Sequence, residues 1–241
     1  MTIDDSSLDL LHSMARLLSH IIGNQHLILS GERSLFWENE NTLIIADLHV
    51  GKTGHFRKEG IGVPSGVYKD DLHRLLAQIL LFKAERLIIV GDLTHSTANR
   101  EMDLFRKWRK DFPSLDVQLA KGNHDILDKK WYEEADITVH NEPFAIRNFV
   151  FVHDILRQPI DPKPGQYIFS GHVHPGVVIS GRGRQSLRLP CFYFSKTHCI
   201  MPAFSRFTGT YRVDVTRDDN IFAIADRELM PMPMKRSAMP I

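Results

Sequence analysis

Cysteine is almost missing from this 241-residue chain: only Cys191 and Cys199 occur. Two thiols build neither a disulfide framework nor an all-cysteine zinc site, and they suit a reduced compartment as buried apolar fillers. An excess of one charge is missing too. Thirty Lys and Arg against 29 Asp and Glu leave +1. No global field draws the chain to polyanions, so any nucleic-acid contact has to come from a local basic patch. The opening MTIDDSS lacks the basic segment of a secretory signal, and no apolar run reaches membrane-spanning length. These absences predict a cytoplasmic protein with no membrane partner.

What is present is a hydrophobic content of 43%, enough at this length to bury one sizeable core. A single domain is expected over 1–241. Histidine is plentiful, with 13 copies unevenly spread. Leu8, Leu11, Ala15, Leu18 and Ile22 recur at helical spacing and predict an N-terminal helical extension over 1–23. The Pro-rich end from 230 to 241 predicts a mobile tail.

Between these ends one design repeats. TLIIADLH, RLIIVGD, VQLAKGNHD, FVFVHD and YIFSGHVH are apolar runs, each stopping at Asp, Asn or His. Short strands are also expected at His26–Ser30 and Ser34–Trp37, and further strands within LPCFYF, CIMPAF and TYRVDV. Helices are expected at Tyr68–Lys83, around Arg100–Lys110, and after Asp125. Strands alternating with helices predict an α/β sheet with covered faces, whose function gathers at the carboxyl ends of its strands.

At those ends stand Asp47, His49, Asp92, Asn123, His124, His153, His172 and His174. Oxygen and nitrogen donors without thiolate suit Mn, Fe, Zn or Ni, whereas Mg and Ca prefer all-oxygen shells. Seven donors, His124 left out, are too many for one cation and match two. Two adjacent cations need a bridging carboxylate, and Asp92 is the natural bridge because Asp47 already has His49 beside it. On a strand, residues two apart face one side, so Asp47 with His49 and His172 with His174 are each expected to aim into one site. Gly91, Gly122 and Gly171 let the backbone approach closely.

The ordered motifs Asp47–His49, Gly91–His95, Gly122–Asp125, His153 and Gly171–His174 resemble the calcineurin-like metallophosphoesterase superfamily, over Leu43 to Pro175. The resemblance implies a four-layer α/β/β/α sandwich. It implies one metal on Asp47, His49, Asp92 and His174, and a second on Asp92, Asn123, His153 and His172. His124 would then stand by the leaving oxygen as proton donor or charge stabiliser. More narrowly, ADLHVGKTGHFRKEGIGVP, GDLTHS, KGNHD, GHVHPG, LPCF and PAFSRFTG resemble the DNA ligase-associated metallophosphoesterases, from about His26 to Arg212. That likeness implies a Mn-dependent phosphodiesterase or endonuclease of DNA repair, linked to an ATP-dependent ligase, a helicase and a nuclease. The chain departs from it at Ser205 and Ile155, neither of them a ligand position.

Around this centre the sequence offers alternatives. Related phosphatases place an acidic residue three positions after the bridging Asp; here that position is His95, either a catalytic-site residue or a histidine at a helix start. Lys52, His55, Arg57 and Lys58 either clamp a substrate phosphate or form a solvated basic loop, and Arg182, Arg184 and Arg188 pose the same choice. Phe56 either stacks a base or fills the core of its loop, and the core is the expectation. Asp125 either orients His124 or caps the next helix, and Asp154 is open in the same way. The leading expectation is a dinuclear phosphodiesterase acting on nucleic acid or another phosphodiester. A pyrophosphatase or phosphomonoesterase for a small or lipid-linked substrate, and a non-enzymatic scaffold, are the competitors.

Overall fold

The computed structural model describes residues 16–60, 62–63, 66–95, 99–181 and 185–232. A first sheet begins as an antiparallel meander of β1 (Leu17–Ile22), β2 (Gln25–Ser30), β3 (Ser34–Trp37) and β4 (Thr42–Ile45). Three strands then add in parallel: β5 (Arg86–Ile89), β6 (Asp116–Ala120) and β7 (Thr138–His140). Parallel neighbours need crossovers. Helices α1 (Lys52–Lys58) and α2 (Val67–Phe82) join β4 to β5, α3 (Arg100–Arg109) joins β5 to β6, and α4 (Lys129–Glu134) joins β6 to β7.

The second sheet holds β8 (Phe144–Ile146), β9 (Phe149–Val152), β10 (Tyr167–Ser170), β11 (Pro175–Ser180), β12 (Ser186–Phe194), β13 (His198–Ile200) and β14 (Tyr211–Arg212). Its order is β14-β11-β12-β13-β10-β9-β8, and β15 (Asn220–Ala225) pairs with β12 and carries β16 (Glu228–Pro231).

The apolar runs of β4 and β5 have no polar face because both of their faces are covered. One side meets Leu72, Leu75 and Ile79 of α2, Phe105 of α3 and Trp131 of α4. The other meets the second sheet through Phe149, Phe151, Phe169, Phe192 and Phe194. Each such ring contributes roughly 1.5–3 kcal/mol by leaving water. The result is the mixed α/β fold expected of the sequence, two facing sheets with the described helices outside the first. Beyond the second sheet lie smaller clusters around Val177, Cys191 and Ile221 and around Val150, Val152 and Ile168; no helix residue among the described ones joins them.

Two expectations fail at the ends of the chain. Leu18 and Ile22 lie in strand β1, not in a helix, and Ile21 pairs with His26 across a turn at Gly23. A spacing of four fits a strand's period of two as well as a helix turn, so Leu18 and Ile22 alone do not separate them. Residues 1–15 of that expected helix lie outside the described residues. Met230 and Pro231, assigned to the tail, belong to β16, where Met230 pairs with Ala223; 233–241 lie outside the described residues. Cys191 and Cys199 are buried free thiols, as expected.

Candidate metal centre

Strand register brings the polar clusters together. Ile45 pairs with Ile89, Ile89 with Leu119, and Val152 with Ser170, so the strands of each sheet end level. Backbone bonds then tie the emerging loops: Asp47 N–H donates to Gly91 O at 3.1 Å, His49 N–H to Asp92 O at 2.9 Å, and Gly171 N–H to His153 O at 3.0 Å. The sheets are joined through Asp47, whose two carboxylate oxygens accept the His172 N–H at 3.2 and 3.1 Å.

The side chains converge for a different reason from the one the alternation suggested. β4 ends at Ile45 and β10 at Ser170, so neither pair of donors rides on a pleated strand. Instead the backbone is left-handed at Asp47 (φ 53°), His49 (φ 52°), Asp92 (φ 47°), His172 (φ 65°) and His174 (φ 50°). Each such non-glycine residue costs on the order of 1 kcal/mol, and strain of this kind gathers at functional sites. Gly122 is required between them: a Cβ there would overlap the Asp92 carboxylate and amide. At Gly91, which has φ 80°, a Cβ would enter the His153 ring.

Two groups of donors result. Asp47, His49 and His174 each offer an atom within 4.8 Å of the others, as do Asp92, His153 and His172. In the first, His49 Nε2 faces His174 Nε2 at 3.5 Å, and His174 Nε2 faces Asp47 Oδ1 at 3.5 Å. In the second, His172 Nδ1 lies 3.1 Å and Asp92 Oδ2 3.4 Å from His153 Nε2. Asn123 Oδ1 joins at 3.1 Å from the same Nε2. Asp92 reaches both groups, because Oδ2 also stands 3.9 Å from His49 Nε2. All seven predicted ligands therefore meet. Facing imidazole nitrogens cannot all satisfy one another, and the mixed oxygen and nitrogen set suits divalent cations.

The electrostatics favour positive charge here. Burial works against a charged His153, yet its hydrogen bond to Asp92 and the charges of Asp47 and Asp92 outweigh that and raise its pKa to about 9. Burial also opposes ionisation of Asp92, but His153 and the His124 N–H, which donates to Oδ1 at 2.9 Å, take its pKa down to about 2. His49 goes the other way. Burial, with Lys52 nearby, lowers it to about 2, which keeps its ring neutral and its lone pair available.

His124 and His95 stand at the rim. Their rings stack at 4.6 Å with a 21° interplanar angle. His95 Nδ1 lies 3.3 Å from His49 Nδ1, behind the ligand nitrogen, and burial followed by Lys52 lowers its pKa to about 4. His95 is thus at the site and in contact with a donor ring. Lys52 is half-buried; burial lowers its pKa, while the charges of Asp47 and Asp92 oppose that. His55 meets the His95 ring at 5.7 Å. Arg57 is engaged elsewhere, pairing with Glu101, which also accepts the Thr53 hydroxyl. Lys58 is exposed. Arg188 donates to Thr210 O from within β12, and 182 and 184 lie outside the described residues.

Asp125 takes neither of its expected roles. Fully buried, it accepts the Thr94 N–H at 2.8 Å and the Gly122 N–H at 2.9 Å, clamping two ligand loops, while Asp128 caps α4. Phe56, expected in the core, is half-buried and absent from the buried clusters, because α1 projects it toward Phe207. Asp154, whose role the sequence left open, faces His172 with its carboxylate at 3.4 Å. One contributor was not singled out beforehand. Phe207 sits beside Phe56; its only signal was its place in PAFSRFTG, a motif that had no assigned task.

The calcineurin-like phosphoesterase family model matches residues 41–160. Among solved structures, the Pseudomonas putida nuclease MPE is 28% identical, with a TM-score of 0.75 over 90% of this chain and 100% of its own. Yfce, a phosphoesterase from E. coli, is 12% identical with a TM-score of 0.40, over 77% of this chain and 88% of its own. No curated protein matched.

Proposed function

We propose that this chain, whose residues 41–160 match the calcineurin-like phosphoesterase family model, is a cytoplasmic, dinuclear phosphodiesterase that cuts DNA in a ligase-associated repair system. The observation that carries the reading is the meeting of two donor groups on Asp92. These donors would hold two divalent cations, Mn or alternatively Fe, Zn or Ni, which would supply positive charge against the phosphate oxygens and favour ionisation of water near neutral pH. One would rest on Asp47, His49, Asp92 and His174, the other on Asp92, Asn123, His153 and His172. The nucleic-acid part is supported by likeness to a protein described as a nuclease along its whole length. The repair setting, with a ligase, a helicase and a nuclease as partners, rests on the shared motifs alone.

The chain's own residues then divide the work. The His124 N–H fixes Asp92 through Oδ1, leaving Oδ2 for both donor groups. The His124 ring, braced on His95, donates a proton to the leaving oxygen or stabilises its charge. Lys52 and His55 meet the phosphate, and Lys58 reaches a neighbouring one. Arg57 contributes by fixing α1 to α3 through Glu101.

Metal analysis of the purified protein, followed by a comparison of bis(4-nitrophenyl) phosphate with 4-nitrophenyl phosphate under Mn, tests this. Two ions per chain and a preference for the diester are expected. A marked preference for the monoester overturns the reading in favour of the monoesterase alternative. Genes for an ATP-dependent ligase and a helicase beside this one would support the repair setting.

A further inference from the structure

Phe56 and Phe207 come from separate parts of the chain, α1 and the loop after β13, and meet edge-to-face at 5.7 Å. Both rings are half-buried, and neither belongs to any of the buried hydrophobic clusters. Half-buried phenyl surface beside a polar site and outside these clusters leaves aromatic area for a ligand to cover.

The rings are mounted firmly. Phe204 N–H donates to Ala46 O at 2.7 Å and Ser205 N–H to Asp47 O at 3.2 Å, pinning the Phe207 loop to a ligand residue. The Ser205 hydroxyl then accepts the Phe207 N–H at 3.3 Å. On the other side, Asn99 Nδ2 donates to Gly51 O at 2.9 Å, and the Arg57–Glu101 pair holds the far turn of α1.

They also connect to the chemistry. Phe56 lies 6.2 Å from the His95 ring at 28°, and His95 stacks on His124. A near-parallel series of rings, His124, His95 and Phe56, therefore runs outward from the catalytic rim to meet Phe207 edge-on, with half-buried Lys52 on the same helix as Phe56. A planar group attached to a phosphodiester would find π-faces and a cation along one path.

We propose that Phe56 and Phe207 form a stacking platform for a nucleobase flanking the scissile phosphodiester, so that the site selects nucleosidic diesters over diesters lacking a base. This rests on the phosphodiesterase reading above, and its test is chosen to separate the two.

The first arm measures binding without turnover. In the Asp92→Asn protein, fluorescence anisotropy compares oligothymidylate with an abasic oligomer of equal length and phosphate number. The based oligomer should bind roughly 5- to 100-fold more tightly, as base–aromatic stacking allows. Adding Phe56→Ala and Phe207→Ala should erase most of that difference, and Phe56→Trp in place of Phe56→Ala should restore part of it. Circular dichroism checks that the variants fold. The second arm compares kcat/KM for thymidine 5′-(4-nitrophenyl) phosphate and methyl 4-nitrophenyl phosphate, which share a leaving group. The preference for the thymidine ester should fall in the double alanine variant, chiefly through KM. Equal binding of both oligomers, or a difference that survives removal of both rings, overturns the platform. Base-dependent binding with no cleavage of either ester upholds the platform and overturns the diesterase reading instead.

Discussion

Asp154 Oδ2 stands 3.4 Å from His172 Nε2, while Nδ1 of the same ring faces His153 Nε2 at 3.1 Å. The carboxylate is nearly buried, and its other oxygen accepts the N–H groups of Leu156 at 3.0 Å and Arg157 at 3.3 Å. Asp154 therefore shapes its own turn and holds His172 with Nδ1 turned toward the second donor group. Carboxylates behind a ligating imidazole fix its tautomer and raise its basicity. Asp154→Ala should weaken Mn binding at the Asp92, His153 and His172 group by roughly 10- to 100-fold, leaving closer to one ion per chain after dialysis. Two retained ions at parental affinity would show that Asp154 serves the turn alone.

The pKa of His153 makes metal binding and pH one measurement. It is raised on folding from 6.5 to about 9. A raised histidine contributes stability that is fully present below its ordinary pKa and is lost as pH rises through the folded one. Chelator-treated protein should thus become less stable between about pH 6.5 and 9, by on the order of 1–3 kcal/mol. A cation ligated at His153 has to displace that proton, so its apparent affinity should rise across the same window and binding should release protons. His153→Gln should flatten both profiles. Thermal unfolding with chelator and calorimetry in buffers of different ionisation enthalpy check this, and a stability profile flat across that window would contradict it.

Gly122 offers a steric test. An alanine Cβ would press on the carboxylate and amide of Asp92, neither of which can retreat without disturbing the His124 N–H bond. Overpacking of this kind costs roughly 1–3 kcal/mol. Gly122→Ala should lower Tm by a few degrees and weaken metal retention. Gly209→Ala, where an added Cβ meets nothing within 4 Å, should change stability by no more than about 0.5 kcal/mol. Equal melting of the two variants would dismiss the contact with Asp92.

These relationships explain which parts were legible beforehand. The runs of β4, β5, β6, β9 and β10 could be read because sheets covered on both faces demand unbroken apolar strands, and each stopped abruptly at a donor. The seven donors were visible as residue types in order. Their convergence depended on left-handed backbone at five of them, which arises from tertiary ties such as Asp47 to His172 and leaves no local signal. β1 was missed because Leu18 and Ile22 sit four apart, a spacing common to both periods. Phe56 was misplaced because an aromatic on a short helix carries no mark of which face the fold will cover. Asp154 stayed open because a turn-forming carboxylate and one that orients a ligand look alike in sequence, and here one side chain does both.

The last prediction concerns His124, which the geometry separates from the ligands. Its N–H is committed to Asp92, whereas its ring stacks on His95 and stands edge-on to His49 at 5.5 Å between centroids. A ring so braced can hold a proton for a leaving oxygen without being drawn into either donor group. Its contribution should then depend on how badly the leaving group needs that proton. With a 4-nitrophenolate leaving group, His124→Ala should cost little in kcat. With an alkoxide leaving group, such as the sugar oxygen of a dinucleotide, the loss should reach roughly 10²- to 10⁴-fold, the usual range for a positioned general acid. Metal content should be unchanged in the variant, which distinguishes this role from ligation. Steady-state rates on the two ester classes decide the matter, and an equal loss on both would move His124 away from the leaving oxygen altogether.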